Sequence, residues 1–201
     1  MKTHNILRYG IMKYLRRGIR LSISLTYRCN LKCPYCSINI PNNAKPKCKE
    51  STLGELKEFV INFPLKIREI QLSGGSPEMH PDFVEYTNWL LNQGYYIQVV
   101  TNLTFPLIHN KLKKTRRLML CSTYHHCYKS FCFIKNYELL KKDYRVIVEE
   151  IGERPEDKHL SISKLKAYIK PKDMVDNIRM LRVAPDLKIY RNCYDLYKNA
   201  E

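Results

Sequence analysis

The sequence of residues 21–36 is LSISLTYRCNLKCPYC, and it combines a predicted strand with a loop that contains three cysteines. Over residues 21–26, apolar side chains alternate with hydroxyl side chains, which is the period of a β-strand. The hydroxyl residues share one face of this strand, and they are Ser22, Ser24 and Thr26. A polar face of this kind suits a hydrated or ligand-filled interior better than a dry core.

The remainder of the chain predicts further strands that alternate with helices. Apolar segments of strand length lie at about 67–73, 96–101, 117–122, 144–149 and 187–191. Segments with helical periodicity lie near 52–62, 81–93, 106–114, 131–142 and 162–180. This alternation is typical of an α/β fold with a parallel sheet and right-handed crossovers. Six units are too few for a closed eight-stranded barrel of about 250 residues. An open barrel or a doubly wound sheet remains, and we predict a partial (βα)6 TIM-like barrel with parallel strands.

Residues at the predicted helix ends support these boundaries. Thr52 and Glu55 have the spacing of an N-terminal capping box, and Pro106 suits the first turn of a helix. Gly94 follows a predicted helix as a C-terminal stop. We expect three segments in the chain, which are a short N-terminal amphipathic helix in 1–18, the partial barrel in 19–185, and a short C-terminal strand and tail in 186–201.

The composition is that of a globular protein. The chain has 201 residues, of which 44% are hydrophobic and 27% are charged, so it can bury a substantial core and is not mainly disordered. No apolar run reaches the eighteen or so residues that cross a bilayer, and the basic segment 1–20 lacks the apolar stretch of a signal peptide. We therefore expect a cytoplasmic protein without a membrane span.

The chain is strongly basic. It has 35 Lys and Arg residues against 19 Asp and Glu residues, which gives a formal net charge of +16 at pH 7. A charge of this size attracts polyanions and acidic surfaces whatever the fold. It favours a nucleic acid, a nucleotide or an acidic peptide as substrate over a cationic small molecule. The basic clusters in 13–20 and 111–117 fit either a nucleic-acid footprint or solvated helix faces.

Cysteine usage points to metal binding or catalysis. The chain has eight cysteines and no secretory signal, so a disulfide scaffold is the less favoured use. Three of them, Cys29, Cys33 and Cys36, lie in the loop after the first strand with the spacing C-x3-C-x2-C. A structural zinc site requires a fourth ligand, such as Cys48 or a histidine. In an iron–sulfur cluster, three cysteines leave one iron open to a ligand from outside the protein.

Polar and chemically reactive residues recur where the predicted strands end. In α/β folds ligands bind at the carboxyl ends of parallel strands, which meet at one edge of the sheet. The ends of the later strands carry Ser73 to Pro77, Thr101 with Asn102, Ser122 with His125 and His126, and Glu149 with Glu150. The sequence therefore places its candidate site at this edge, beside the cysteine loop.

Two motifs together resemble the radical S-adenosylmethionine (SAM) superfamily. The segment Leu25 to Cys36 is similar to the cluster loop of that superfamily, including the aromatic Tyr35 before the third cysteine. The segment Leu72 to Pro77, with the sequence LSGGSP, is similar to the Gly-Gly-Glu-Pro motif at the end of the second strand. A third and weaker match, Val99 to Asn102, resembles the strand end near the ribose. The resemblance covers residues 19–150, and its motifs occur in the expected order.

The resemblance implies a [4Fe–4S] cluster held by Cys29, Cys33 and Cys36, with SAM bound to the remaining iron. It implies reductive cleavage of SAM to a 5′-deoxyadenosyl radical, with electrons from a flavodoxin- or ferredoxin-like donor, for hydrogen abstraction from an unknown substrate. The SAM-binding residues implied by the same carry-over are Tyr35, Gly74, Gly75, Ser76, Asn102 and Ser122. Of these, the glycine backbone is expected beside the methionyl amine, the main chain near Tyr35 beside the adenine, and Asn102 and Ser122 near the ribose or the substrate.

One position departs from the superfamily pattern. Ser76 stands where the motif has a glutamate, and a hydroxyl cannot offer the negative charge that would pair with an ammonium group. We therefore expect weaker SAM binding than in relatives that keep the glutamate.

Two alternatives remain open at this point. One is a basic nucleic-acid-binding module stabilised by zinc on the three loop cysteines and Cys48. The other is a cluster-binding member of the superfamily that has lost turnover. Cys121, Cys127 and Cys132 match no familiar cluster spacing and are interpreted as buried thiols.

Overall fold

The computed structural model describes residues 18–33, 36, 49–125, 128, 131–151 and 180–190. The strands in these ranges are β1 (Ile19–Thr26), β2 (Ile67–Gly74), β3 (Tyr96–Thr101), β4 (Leu118–His125), β5 (Arg145–Ile151), β6 (Met180–Val183) and β7 (Ile189–Tyr190). The helices are α1 (Leu53–Ile61), α2 (Phe83–Asn92), α3 (Pro106–His109) and α4 (Phe131–Leu140), with a 3-10 turn at Pro77–Met79.

The strands form one sheet in the order β5-β4-β3-β2-β1-β6-β7. Each neighbouring pair from β5 to β6 is parallel, and only β7 runs antiparallel to its neighbour. The predicted α/β architecture with parallel strands alternating with helices is confirmed. Within the described residues the sheet is open, with β5 at one side and β7 at the other.

Both faces of β1 are buried, which is expected for a strand inside a parallel sheet. Leu21 and Ile23 are fully buried on the apolar face. Ser22 and Ser24 on the opposite face retain only 2% and 6% of their exposed surface, and the Ser22 hydroxyl lies 3.2 Å from that of Ser73 on β2. The polar face of β1 is therefore enclosed, and its Ser22 and Thr26 hydroxyls bind neighbouring polar side chains.

The helix ends carry the cap, the proline and the glycine that the sequence predicted there. Thr52 caps α1, its side chain accepting from the backbone of Glu55 while the Glu55 side chain accepts from the backbone of Thr52. Pro106 lies in the first turn of α3, and Gly94 follows α2 with a φ of +92°, which favours glycine.

Three boundaries differ from the prediction. Helix α3 ends at His109 rather than near 114, because Lys111 and Leu112 donate to carbonyls three residues back and turn the chain. Met180, predicted as the end of a helix over 162–180, is the first residue of β6, which pairs with β1. The strand predicted at 187–191 is Ile189–Tyr190, and it is antiparallel because a tight turn reverses the chain after β6.

Several predicted features lie outside the described residues. They are residues 1–17 of the helix predicted in 1–18, residues 162–179 of the helix predicted over 162–180, Tyr35, Cys48, His126, Cys127, and the tail from 191 onward. None of the helices in the described ranges has the length and apolar character needed to cross a membrane.

Candidate active site

The cysteine loop and the Gly-Gly segment meet where β1 and β2 end. The Gly75 N–H donates to the Thr26 carbonyl at 2.8 Å, and the Ser76 N–H donates to the Arg28 carbonyl at 2.7 Å. These two bonds extend the contact between the strands beyond their last paired residues, Thr26 and Gly74. The chain on either side of the glycines is therefore fixed directly against the segment that leads to Cys29.

The glycines are required by this close approach. A Cβ atom on Gly74 would lie 2.1 Å from the Thr26 carbonyl oxygen, and one on Gly75 would lie 2.2 Å from the Arg28 carbonyl oxygen. Gly74 also has a φ of +120°, which side-chain-bearing residues rarely adopt. The backbone of the cysteine loop therefore occupies the space that a side chain would need, and the contact of these glycines with SAM stays a prediction.

Cys29 faces the end of β2. Its Sγ lies 3.5 Å from the Ser76 hydroxyl and accepts the Leu31 N–H at 3.4 Å. An N–H group directed at a sulfur stabilises negative charge on it, which is the charge state of a metal-binding thiolate.

Ser76 and two asparagines form a polar cluster beside Cys29, in which Ser76 and Asn102 are buried and Asn30 is exposed. Ser76 is 1% exposed and donates to Asn30 Oδ1 at 3.0 Å. Asn102, which follows β3, donates from Nδ2 to the same oxygen at 2.8 Å and to the Ser76 hydroxyl at 3.2 Å. Side chains after β1, β2 and β3 thus meet at one point, as the sequence predicted from the placement of these residues at strand ends.

Cys33 faces the end of β4. Its Sγ lies 3.3 Å from Nδ1 of His125, the last residue of that strand. Burial lowers the pKa of His125 below its ordinary value, which favours the neutral imidazole. Cys36 lies close to Cys33, because a turn brings its N–H to the Cys33 carbonyl at 3.1 Å. All three cysteines are partly exposed.

The three loop thiols are the donor type that iron–sulfur clusters use. Within the described residues, which do not include Cys48, no three His, Cys, Asp or Glu side chains are grouped around one point that could hold a metal ion. A cubane cluster binds each thiolate through a different iron atom. Three thiols on one loop at the carboxyl edge are donors of the right kind for such a cluster.

An ion pair beside the loop was not found from the sequence. Glu50 binds Arg28 through two hydrogen bonds, at 2.9 and 2.7 Å, and also accepts from the Thr26 hydroxyl. Burial raises the pKa of Glu50, but the hydrogen bonds from Arg28 and Thr26 and the charge of Arg28 outweigh it, so the net shift is downward. This pair holds Arg28, whose carbonyl receives the Ser76 N–H, in place.

The structure separates two other residues from this cluster. Ser122 is fully buried, and its hydroxyl donates to the Ile147 carbonyl at 2.7 Å, so it is committed to the β4–β5 pair. Glu78, two residues after Ser76, lies 2.9 Å from Nε2 of the buried His109. Its second carboxylate oxygen and His109 Nδ1 have no hydrogen-bond partner. The Glu78 carboxylate is thus directed at α3 rather than at the cysteine loop.

Comparisons with known proteins identify relatives that match part of this chain. A Methanocaldococcus jannaschii protein provisionally named a glycyl-radical enzyme activating enzyme is 36% identical over 81 residues, which are 39% of this chain and 29% of the relative. An S-adenosylmethionine-dependent nucleotide dehydratase of Selenomonas ruminantium is 27% identical over 85 residues, which are 41% of this chain and 29% of the relative. The matched regions thus span less than a third of these relatives.

A solved structure shares the fold, and a family model matches the sequence. The crystal structure of BtrN in complex with AdoMet and 2-DOIA superimposes with a TM-score of 0.59 and 15% identity, over 90% of this chain and 75% of BtrN. The model of the radical SAM superfamily matches residues 23–126, which include all three loop cysteines, the Gly-Gly segment and Asn102. With more than half of its residues in that match, and with the two motifs in contact at the carboxyl edge, the chain belongs to the radical SAM superfamily.

Proposed function

We propose that this chain binds a [4Fe–4S] cluster through Cys29, Cys33 and Cys36 and catalyses a SAM-dependent radical reaction. The observation that supports the proposal best is the direct contact between the cysteine loop and the Gly-Gly segment through the Thr26 and Arg28 carbonyls. This contact brings together two motifs that lie 38 positions apart, at Cys36 and Gly74. Neither motif alone specifies the chemistry, whereas their contact provides one place for a cluster and its SAM.

The cluster and SAM supply one-electron cleavage of a sulfonium bond, and the protein positions them and excludes competing reactions. In this assignment the Leu31 N–H stabilises the charge of the Cys29 thiolate. The side chains of Ser76, Asn30 and Asn102 offer amide and hydroxyl groups to the polar parts of SAM. The Arg28–Glu50 pair fixes the backbone that carries Cys29.

Ser76 accounts for the weaker SAM binding that we propose for this chain. Its hydroxyl is neutral and engages Asn30 and Asn102. The nearest acidic residue along the motif, Glu78, is directed toward His109. We assign recognition of the methionyl amine to backbone carbonyls near Gly74 and Gly75, which lack the strength of a buried ion pair.

The proposed substrate is anionic, and the proposed reductant is a flavodoxin- or ferredoxin-like protein. The net charge of +16 favours substrates that carry phosphate or carboxylate groups. The similarity over 85 residues to a nucleotide dehydratase supports the same class.

Anaerobic reconstitution with iron and sulfide tests the proposal. The full chain is expected to become brown, to hold about four irons and to form 5′-deoxyadenosine from SAM when dithionite is added. Each of the variants Cys29→Ala, Cys33→Ala and Cys36→Ala is expected to lose the colour. Cys132→Ala is the matched control, since this cysteine, which the sequence analysis interpreted as a buried thiol, is instead exposed on α4.

The possible results separate the alternatives. A colourless protein that retains zinc would reject the proposal in favour of the zinc-stabilised module. A brown protein that forms no 5′-deoxyadenosine would support a member that has lost turnover, a possibility that the Ser76 departure favours.

A further inference from the structure

We propose that the amino edge of the sheet, opposite the cysteine loop, binds single-stranded nucleic acid. The surface, here called the basic edge, consists of exposed residues at the starts of four neighbouring strands, namely Lys66, Tyr96, Arg116, Lys142 and Arg145. This proposal is independent of the cluster and of the reaction at the carboxyl edge.

The sheet brings these residues together from distant parts of the chain. In the observed register Glu69 pairs with Tyr96, Ile97 with Leu118, and Met119 with Arg145, so the strands β2 to β5 begin at the same edge in a staggered line, each strand starting further along than the one before. Neighbouring strands lie about 4.8 Å apart and each residue rises about 3.3 Å, so the staggered basic edge extends about 19 Å from β2 to β5. Its four cations can contact up to four phosphates of a single strand.

Within the described ranges, the cations of the basic edge are not paired with carboxylates. Among the described residues, Lys66, Arg116, Lys142 and Arg145 take part in no ion pair. The acidic residues in this region are already used, since Asp143 pairs with Lys114 and the buried Glu69 pairs with Arg20.

An exposed aromatic ring favours nucleic acid over an acidic protein as the partner. Tyr96 is 57% exposed at the start of β3, between the basic residues of β2 and those of β4 and β5. An exposed tyrosine in an edge of positive charge is the combination that binds single strands, because bases stack on the ring while phosphates contact the cations.

Fluorescence anisotropy with a fluorescein-labelled 20-nucleotide oligouridine tests the proposal on the full chain. Wild-type protein is expected to bind at 50 mM KCl, and the logarithm of its affinity is expected to fall with the logarithm of salt concentration with a slope of about −2.8, for four phosphate contacts. The triple variant Lys66→Ala/Arg116→Ala/Lys142→Ala is expected to bind at least tenfold more weakly, with a slope reduced to about −0.7.

Two further variants identify the source of any loss. The control Lys49→Ala/Lys135→Ala/Lys188→Ala removes the same charge from exposed residues elsewhere, and its affinity is expected to change less than twofold. Tyr96→Leu is expected to bind at least fivefold more weakly with an unchanged salt slope, because it removes stacking and no charge. Circular dichroism melts identify any variant that fails to fold.

Three results would overturn the proposal. The first is no binding of oligouridine at 50 mM KCl. The second is an equal loss in the two triple variants, which would reveal general attraction to a chain of net charge +16. The third is competition by poly-glutamate as strong as that by unlabelled RNA together with no effect of Tyr96→Leu, which would assign the surface to acidic proteins.

Discussion

Substitution of Gly75 by alanine tests whether the two motifs depend on each other. The added Cβ would lie 2.2 Å from the Arg28 carbonyl oxygen, 2.7 Å from the Arg28 carbonyl carbon and 2.8 Å from the Tyr27 carbonyl oxygen. All of these are backbone atoms, so no side-chain rotation relieves the contact. The two segments must separate by about 0.8 Å before the shortest distance reaches even 3.0 Å, below which real Cβ contacts are essentially absent.

That separation breaks the contact between the cysteine loop and the Gly-Gly segment. The bonds from Gly75 to Thr26 and from Ser76 to Arg28, now 2.8 and 2.7 Å, would lengthen to about 3.5 Å, beyond the range of a good hydrogen bond. Each is worth about 1 kcal/mol, so Gly75→Ala should lower the free energy of unfolding by about 2 kcal/mol. For a chain of this size this is a fall in Tm of about 4–8 °C.

Thermal unfolding and iron content after reconstitution measure the two consequences. Gly75→Ala is expected to melt earlier and to hold less iron than the wild type, because Cys29 moves with the loop. Gly54→Ala is the matched control, since a Cβ there meets nothing nearer than the Thr52 hydroxyl at 4.0 Å, and alanine suits a helix. A Gly75→Ala protein with the Tm and iron content of the wild type would refute the reasoning.

Three further predictions follow from individual contacts. Asn102→Ala should weaken SAM binding to the reconstituted protein, as measured by equilibrium dialysis. Ser122→Ala should lower the free energy of unfolding by about 1 kcal/mol and leave SAM binding unchanged, because the Ser122 hydroxyl binds the Ile147 carbonyl. A greater loss of SAM binding in Ser122→Ala than in Asn102→Ala would argue against the site. Glu50→Gln should destabilise the protein at pH 7 by about 1 kcal/mol. Because the pKa of Glu50 is lowered in the folded state, the difference in stability between Glu50→Gln and the wild type should be present above pH 4.5 and should vanish as the pH falls through the lowered pKa. A difference in urea melts that does not depend on pH would contradict the ion pair. Thr52→Ala should cost about 1 kcal/mol in the same melts through loss of the α1 cap, and an unchanged midpoint would contradict that role.

The sequence was most informative where one local pattern determines structure. The alternation over residues 21–26 predicted β1, the spacing of Thr52 and Glu55 predicted the cap of α1, and the order of strands and helices predicted the parallel sheet. The motifs at the strand ends were predicted to share one edge because parallel strands end together. Their contact through the Thr26 and Arg28 carbonyls agrees with that prediction.

Features that depend on distant contacts were missed. Strand β6 has four residues, too few for a clear alternation, and it is defined by its pairing with β1. The Arg28–Glu50 ion pair joins residues 22 positions apart, and no local signal links them. The hydrogen bond from the Ser122 hydroxyl to the Ile147 carbonyl was not found from the sequence either, because it depends on the register of β4 and β5.

The central proposal is that three thiols hold a cluster whose remaining iron is open to SAM. Electron paramagnetic resonance of the reconstituted, dithionite-reduced protein, recorded before and after addition of SAM, tests it most directly. The account predicts the signal of a reduced [4Fe–4S] cluster and a change in its g values when SAM is added. A cluster signal that SAM leaves unaltered, or a reduced protein without any cluster signal, would contradict it.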